Sequence, residues 1–135
     1  MSMTSPKIFF NLFKDQEKTS FAAGDVIFKA GDRGDVMYIV ADGEVDIRDG
    51  PVLLETAGPG TIFGELALID DAPRSATVTA RTNCQLVKVD RHRFEFMVQE
   101  TPFFALTVMK VLADRLRKTN ARVLAQERAG LATAE

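Results

Sequence analysis

The sequence predicts a mainly β (α+β) domain, an antiparallel sandwich or barrel with flanking helices. Three observations carry that expectation. Eight of the nine glycines lie between positions 24 and 64, where they punctuate apolar runs too short for helices. After Asp90 the apolar residues recur instead at steps of three and four, the helical period. At 135 residues, with 46% hydrophobic and 27% charged residues, the chain suits one ordered domain with a real core.

Taken in order, Ser5-Pro6-Lys7 reads as a helix start, with Ser5 as N-cap and Pro6 in the first helical position. Ile8, Phe9, Leu12 and Phe13 then share one face, so a short amphipathic helix is expected to about Asp15. From Thr19 the period changes. Val26–Phe28, Met37–Val40, Val45–Ile47, Val52–Leu54 and Ile62–Phe63 read as strands, separated by turns such as Gly24-Asp25, Asp49-Gly50-Pro51 and Gly58-Pro59-Gly60. Asp42-Gly43 is expected to close the clearest hairpin. Ala76–Thr79 and Cys84–Val89 are the last two strands, with Arg81-Thr82-Asn83 turning between them.

Asp90 then caps a helix from about Arg91 to Gln99 that carries Phe94, Met97 and Val98 inward. Pro102 opens a longer helix to about Gln126. Its seam of Met109, Leu112, Leu116 and Val123, with Thr119 at the missing step, suggests a helix that also meets a partner helix. The tail, Arg128–Glu135, has no period and is expected to fray.

Composition removes several functions. A net charge of −2 offers no basic surplus for nucleic acid. The single cysteine, Cys84, allows no intrachain disulfide and no thiolate cluster, and reads as strand filler. His92 stands alone, so no metal is expected. Met1–Phe13 lacks the marks of a signal peptide, and no apolar run approaches the roughly 20 residues of a membrane span. A cytoplasmic protein is the default. Asp70 and Asp71 are adjacent and diverge, and no nucleophile, base and orienting group assemble, so an enzyme is not expected.

The chemistry concentrates in Ile62–Val78. Phe63-Gly64-Glu65-Leu66 leaves a strand at a glycine and enters Glu65–Ile69, long enough for one helical turn whose first N–H groups lack intrahelical partners. Nine residues after Glu65, Arg74 brings a planar, permanently charged guanidinium suited to a phosphate. Glu65 would repel phosphate; its natural partner is a sugar hydroxyl. Both features meet on a nucleotide whose phosphate lies close to its ribose. The alternative is a buried structural ion pair between the two residues.

Gly64-Glu65-Leu66-Ala67 followed by Pro73-Arg74-Ser75-Ala76-Thr77-Val78 resembles the phosphate-binding cassette of the cyclic nucleotide-binding domain family, and the upstream turn glycines match its β-roll pattern. The resemblance implies an antiparallel β-roll or jelly roll (a double-stranded β-helix) over about 19–90, an N-terminal helix, and two C-terminal helices over about 91–127. The ligand it implies is cAMP or cGMP, with no other cofactor, and Ser75 leans to cAMP. By position, Glu65 would accept from the ribose 2′-hydroxyl and Arg74 would pair with the phosphate. The N–H groups of Gly64, Leu66, Ala67 and Ser75 or Ala76 would complete the cradle, and the Ser75 hydroxyl could add a bond.

Alignment with the catabolite activators of that family places Arg115, Thr119 and Asn120 where the base is reached and the pocket closed across a dimer. From the residues alone, Thr119 reads equally as a register-setting residue in a helix seam. The chain departs from those activators in stopping nine residues after Gln126, without a helix-turn-helix. The expectation is a cyclic nucleotide sensor acting through its C-terminal helix on a second copy of itself or on another protein. A scaffold domain with a vestigial pocket, and the sensor fragment of a longer channel or transcription regulator, are the alternatives.

Overall fold

The structure, a computed structural model, describes residues 16–134. The helix expected over Ser5–Asp15 lies outside them. Among the described residues eight strands form two antiparallel sheets, with one helical turn between them and two helices after them. The strands are β1 (Thr19–Phe21), β2 (Val26–Phe28), β3 (Val36–Asp42), β4 (Val45–Asp49), β5 (Val52–Ala57), β6 (Ile62–Phe63), β7 (Thr77–Ala80) and β8 (Cys84–Asp90). The helices are the single turn α1 (Leu66–Ile69) between β6 and β7, then α2 (Arg91–Glu100) and α3 (Pro102–Ala134). One sheet runs β1-β8-β3-β6 and the other β2-β7-β4-β5.

Strand alternation sorts the apolar residues into two cores. Tyr38, Val40, Val45, Phe63, Val78 and Leu86 fill the space between the sheets. Met37, Ile39, Ile62, Val87 and Val89 face the other way, against Phe104 and Val108 of α3. β3 therefore supplies both cores from consecutive residues, and α3 covers the outer face of its sheet. Thr107, buried beside Val108, meets its hydrogen-bonding need by donating back to the Phe103 carbonyl at 2.9 Å.

Three expectations are corrected. Asp42-Gly43 closes no hairpin: β3 and β4 belong to different sheets, and this turn carries the chain across the sandwich. Gly43, at φ 82°, fits against the backbone at Asn83 and Cys84, where β7 passes to β8 between the same two sheets. The paired hairpin is β4–β5, turning at Gly50 (φ 56°) and Pro51. Val98 of α2 is exposed, and only Phe94 and Met97 pack inward. α3 continues through the expected frayed tail to Ala134, because Gln126-Glu127-Arg128-Ala129 are strong helix formers and Gly130 alone interrupts them. The short β1 was not anticipated as a strand.

The phase of the α3 seam also shifts. Leu112 packs against the core, so the exposed apolar stripe is Leu106, Met109, Leu116 and Val123. Ala113 and Asn120 occupy its intermediate steps. The Asp90 cap holds as expected, its side chain accepting from the Arg93 N–H at 2.8 Å.

Candidate functional site

A cavity of about 220 Å³ lies where the β2-β7-β4-β5 sheet, α1 and α3 meet. From β6 and α1 it receives Phe63, Gly64, Glu65, Leu66 and Ala67. The segment after α1 adds Pro73, Arg74, Ser75 and Ala76. Ile47, Leu54 and Val78 give an apolar wall, and Arg115, Lys118, Thr119 and Arg122 project from α3. Nine of the ten residues singled out in the sequence thus line one cavity. Asn120 does not. It is exposed on the α3 stripe, between Leu116 and Val123.

Arg74 is 7% exposed and is clasped by backbone. Its terminal nitrogens donate to the carbonyls of Gly64 at 2.9 Å and Val36 at 2.7 Å. The guanidinium carbon stands 4.0 Å from the centre of the Phe28 ring, a cation–π contact. That ring packs against Tyr38 and Phe63, which stack with centroids 5.1 Å apart. Gly34 lies so close that a Cβ there would overlap the guanidinium, and one on Gly64 would come within 2.7 Å of a terminal nitrogen. Gly64 is also held at φ 79°, a backbone state that glycine tolerates best.

No carboxylate pairs with Arg74 among the described residues, and its Nε is buried without a partner. Burial accordingly pulls its pKa below the ordinary value, opposed by Tyr38, Asp35, Glu65 and Asp32.

Glu65, 2% exposed, pairs not with Arg74 but with Arg115. Arg115 donates to Glu65 Oε1 at 2.6 Å, to Glu55 Oε1 at 3.1 Å and to the Ile62 carbonyl at 2.5 Å. Burial alone would lower the Arg115 pKa, but the carboxylates of Glu65 and Glu55 outweigh it and hold it above its ordinary value. Glu65 Oε2 keeps no partner among the described residues. A buried carboxylate oxygen in that state calls for a donor.

In α1 the first backbone donors to find an acceptor within the turn are Leu68 and Ile69, both on the Glu65 carbonyl. The N–H groups of Leu66 and Ala67 precede them. At the other end of the turn Arg91, first residue of α2, donates to the Leu68 carbonyl at 2.7 Å and the Ala67 carbonyl at 3.4 Å, and pairs with Asp71 at 3.3 Å.

Sequence reasoning missed Phe28, Glu55, Lys118 and Arg122. A signal for the last two was present. Arg115, Lys118, Thr119 and Arg122 stand at i, i+3, i+4 and i+7, a polar helix face beside an apolar one. Glu55 and Phe28 have no local signal, because long-range pairing brings them to the cavity.

Comparison with known proteins agrees with this geometry. Over 120 residues the chain is 34% identical to the CRP-like cAMP-activated global transcriptional regulator of Mycobacterium tuberculosis, covering 85% of this chain and 54% of that one. Over 73 residues it is 49% identical to the cAMP-dependent protein kinase regulatory subunit of Yarrowia lipolytica, 53% of this chain and 19% of the other. The chain thus spans about half, or less, of the length of these relatives. The Thermus thermophilus catabolite activator protein superposes with a TM-score of 0.78 at 27% identity, over 93% of this chain and 63% of that one. The structure of cAMP-bound PfPKA-R superposes at 0.70 and 30% identity, over 78% and 36% respectively. No single helix among the described residues is long and apolar enough to cross a membrane. Residues 18–101 match the cyclic nucleotide-binding domain, and the chain belongs to that family.

Proposed function

We propose that this domain is a non-enzymatic sensor whose cavity binds a cyclic mononucleotide, cAMP among them, and whose output is the position of α3. The observation that carries the reading is the pair of buried, under-partnered charges in one cavity: a guanidinium with no carboxylate, and a carboxylate oxygen with no donor, among the described residues. A cyclic nucleotide supplies the complement of both, an anionic phosphate for Arg74 and a ribose hydroxyl for Glu65. The N–H groups of Gly64, Leu66, Ala67 and Ser75 or Ala76 complete the phosphate cradle, with the Ser75 hydroxyl beside them. Ser75 and the relatives named for cAMP support cAMP as one such ligand.

The exposed α3 stripe supports a homodimer through that helix, although another protein could use the same face. In such a pair Asn120, which does not line its own cavity, closes the partner's, while Thr119 serves its own. The single domain over 1–135 would then act as a module within a larger assembly.

Calorimetric titration with cAMP, cGMP and 5′-AMP tests the reading. Heat with the cyclic nucleotides and little with 5′-AMP is expected. No heat from any of them at millimolar ligand, with the protein folded, would overturn it.

A further inference from the structure

We propose that the base end of the cavity accepts a 6-oxopurine, guanine or hypoxanthine, at least as readily as adenine, and that Lys118 and Arg122 set this preference. The inference rests on the cyclic nucleotide reading and extends it to the base.

With the phosphate at Arg74 and the ribose at Glu65, the base lies on the side of the sugar away from the phosphate. Arg115 already marks the ribose on α3, through its bond to Glu65. Lys118, Thr119 and Arg122 follow it by three, four and seven residues and line the same cavity. They lie about 5–10 Å farther along the helix axis. The strands contribute Ile47, Leu54 and Val78, an apolar wall for the flat faces of a base.

Lys118 and Arg122 are free cations. Unlike Arg115 and Arg117, which pair with acidic residues, neither has a hydrogen-bond or ion-pair partner among the described residues. Ammonium and guanidinium groups only donate. On the edge that carries N7 and position 6, guanine offers them two acceptors, N7 and O6, where adenine offers N7 and an N6 amino donor. Two unpaired donors at this end therefore favour oxygen over an amino group at position 6. The Thr119 hydroxyl both donates and accepts, which keeps adenine admissible. Ser75, the residue that leans to cAMP, sits at the phosphate end, so the two influences act at opposite ends of the ligand.

The test is calorimetric titration of the whole chain with cAMP, cGMP and cIMP. cIMP differs from cAMP in carrying a keto oxygen for the amino group at position 6, with a proton on N1. The expected result is cIMP and cGMP binding at least as tightly as cAMP. The ratio of cIMP to cAMP affinity should fall by about fivefold or more in Lys118→Met/Arg122→Met, which strips both cations from exposed or half-exposed positions. Taking the ratio cancels any general loss of attraction for phosphate. Wild-type binding of cIMP weaker than cAMP, or a smaller change in the ratio, overturns the inference and leaves the cyclic nucleotide reading intact. Absence of binding by all three overturns that reading as well.

Discussion

Arg115 and Glu65, fifty residues apart in sequence, meet at 2.6 Å and join the C-terminal helix to the turn that borders the cavity. The same guanidinium reaches Glu55 on β5 and the Ile62 carbonyl on β6. The orientation of the Glu65 carboxylate and the seating of α3 are therefore one arrangement, held from three sides.

Removing Arg115 leaves Glu65 buried without a counter-charge. Arg115→Ala should cost about 3 kcal/mol of folding stability. Glu55→Gln should cost about 1 kcal/mol, because Arg115 keeps Glu65 and the Ile62 carbonyl. Urea denaturation of both variants beside wild type measures this, and an Arg115→Ala chain as stable as wild type would contradict it.

Arg74→Ala should weaken cyclic nucleotide binding by at least about 2 kcal/mol, roughly 30-fold, by removing a charge-assisted contact. Arg74→Lys should not rescue it. An ammonium is a point donor and cannot keep the flat guanidinium's contacts with two carbonyls and the Phe28 ring. Calorimetry reads both, and unchanged affinity would mean that the phosphate lies elsewhere.

Gly34 has no left-handed backbone to protect, so Gly34→Ala tests space alone. The added methyl displaces the Arg74 guanidinium, and binding should weaken by about tenfold or more in a folded chain. Gly64→Ala adds backbone strain of about 1–2 kcal/mol at positive φ and should lower the melting temperature as well. Full affinity in Gly34→Ala would show that Arg74 need not stay where it lies.

Tyr38 is the sole tyrosine, so its ionisation can be followed by phenolate absorbance without overlap. Burial raises its pKa, with Arg74 opposing and Asp35 assisting. A raised folded value means that the folded state holds its proton after the unfolded state has released one. The stability contributed is complete below the unfolded value near 10 and is lost as pH rises through the folded value. Tyr38→Phe should flatten the alkaline fall in melting temperature, leaving the part due to Cys84, whose thiol burial also raises. An unchanged alkaline slope would exclude Tyr38 as its source.

Leu116→Asp places a charge in the middle of the exposed α3 stripe. Sedimentation should show wild type self-associating and the variant monomeric. A wild type that stays monomeric at high concentration would refute dimerisation through this helix.

Most strands were legible as short apolar runs between turn residues, glycine above all, and the long helices because Asp90 and Pro102 announce their starts. β1 was not, since Thr19-Ser20-Phe21 has one large apolar residue and takes its strand form from pairing with β8. Asp42-Gly43 misled because a tight glycine turn serves a hairpin and a sheet-to-sheet corner equally well. Which strand pairs with which is decided by distant partners. Glu65 and Arg74 could be read from a contiguous motif. Their pairing could not: the family alignment set Arg115 near the base, and its sequence neighbour Asp114 pairs with Arg117 instead, while Arg115 turns inward to Glu65.

Arg91 gives α1 a second anchor, and the turn's length makes that matter. Four residues rise only about 6 Å, too short a rod to bend along its length. A tug on the backbone donors at its leading end would be carried to the Ala67 and Leu68 carbonyls, and through them to Arg91. The turn is thus gripped front and rear, by α3 through Arg115 and by α2 through Arg91, so one small translation of it would load both trailing helices together.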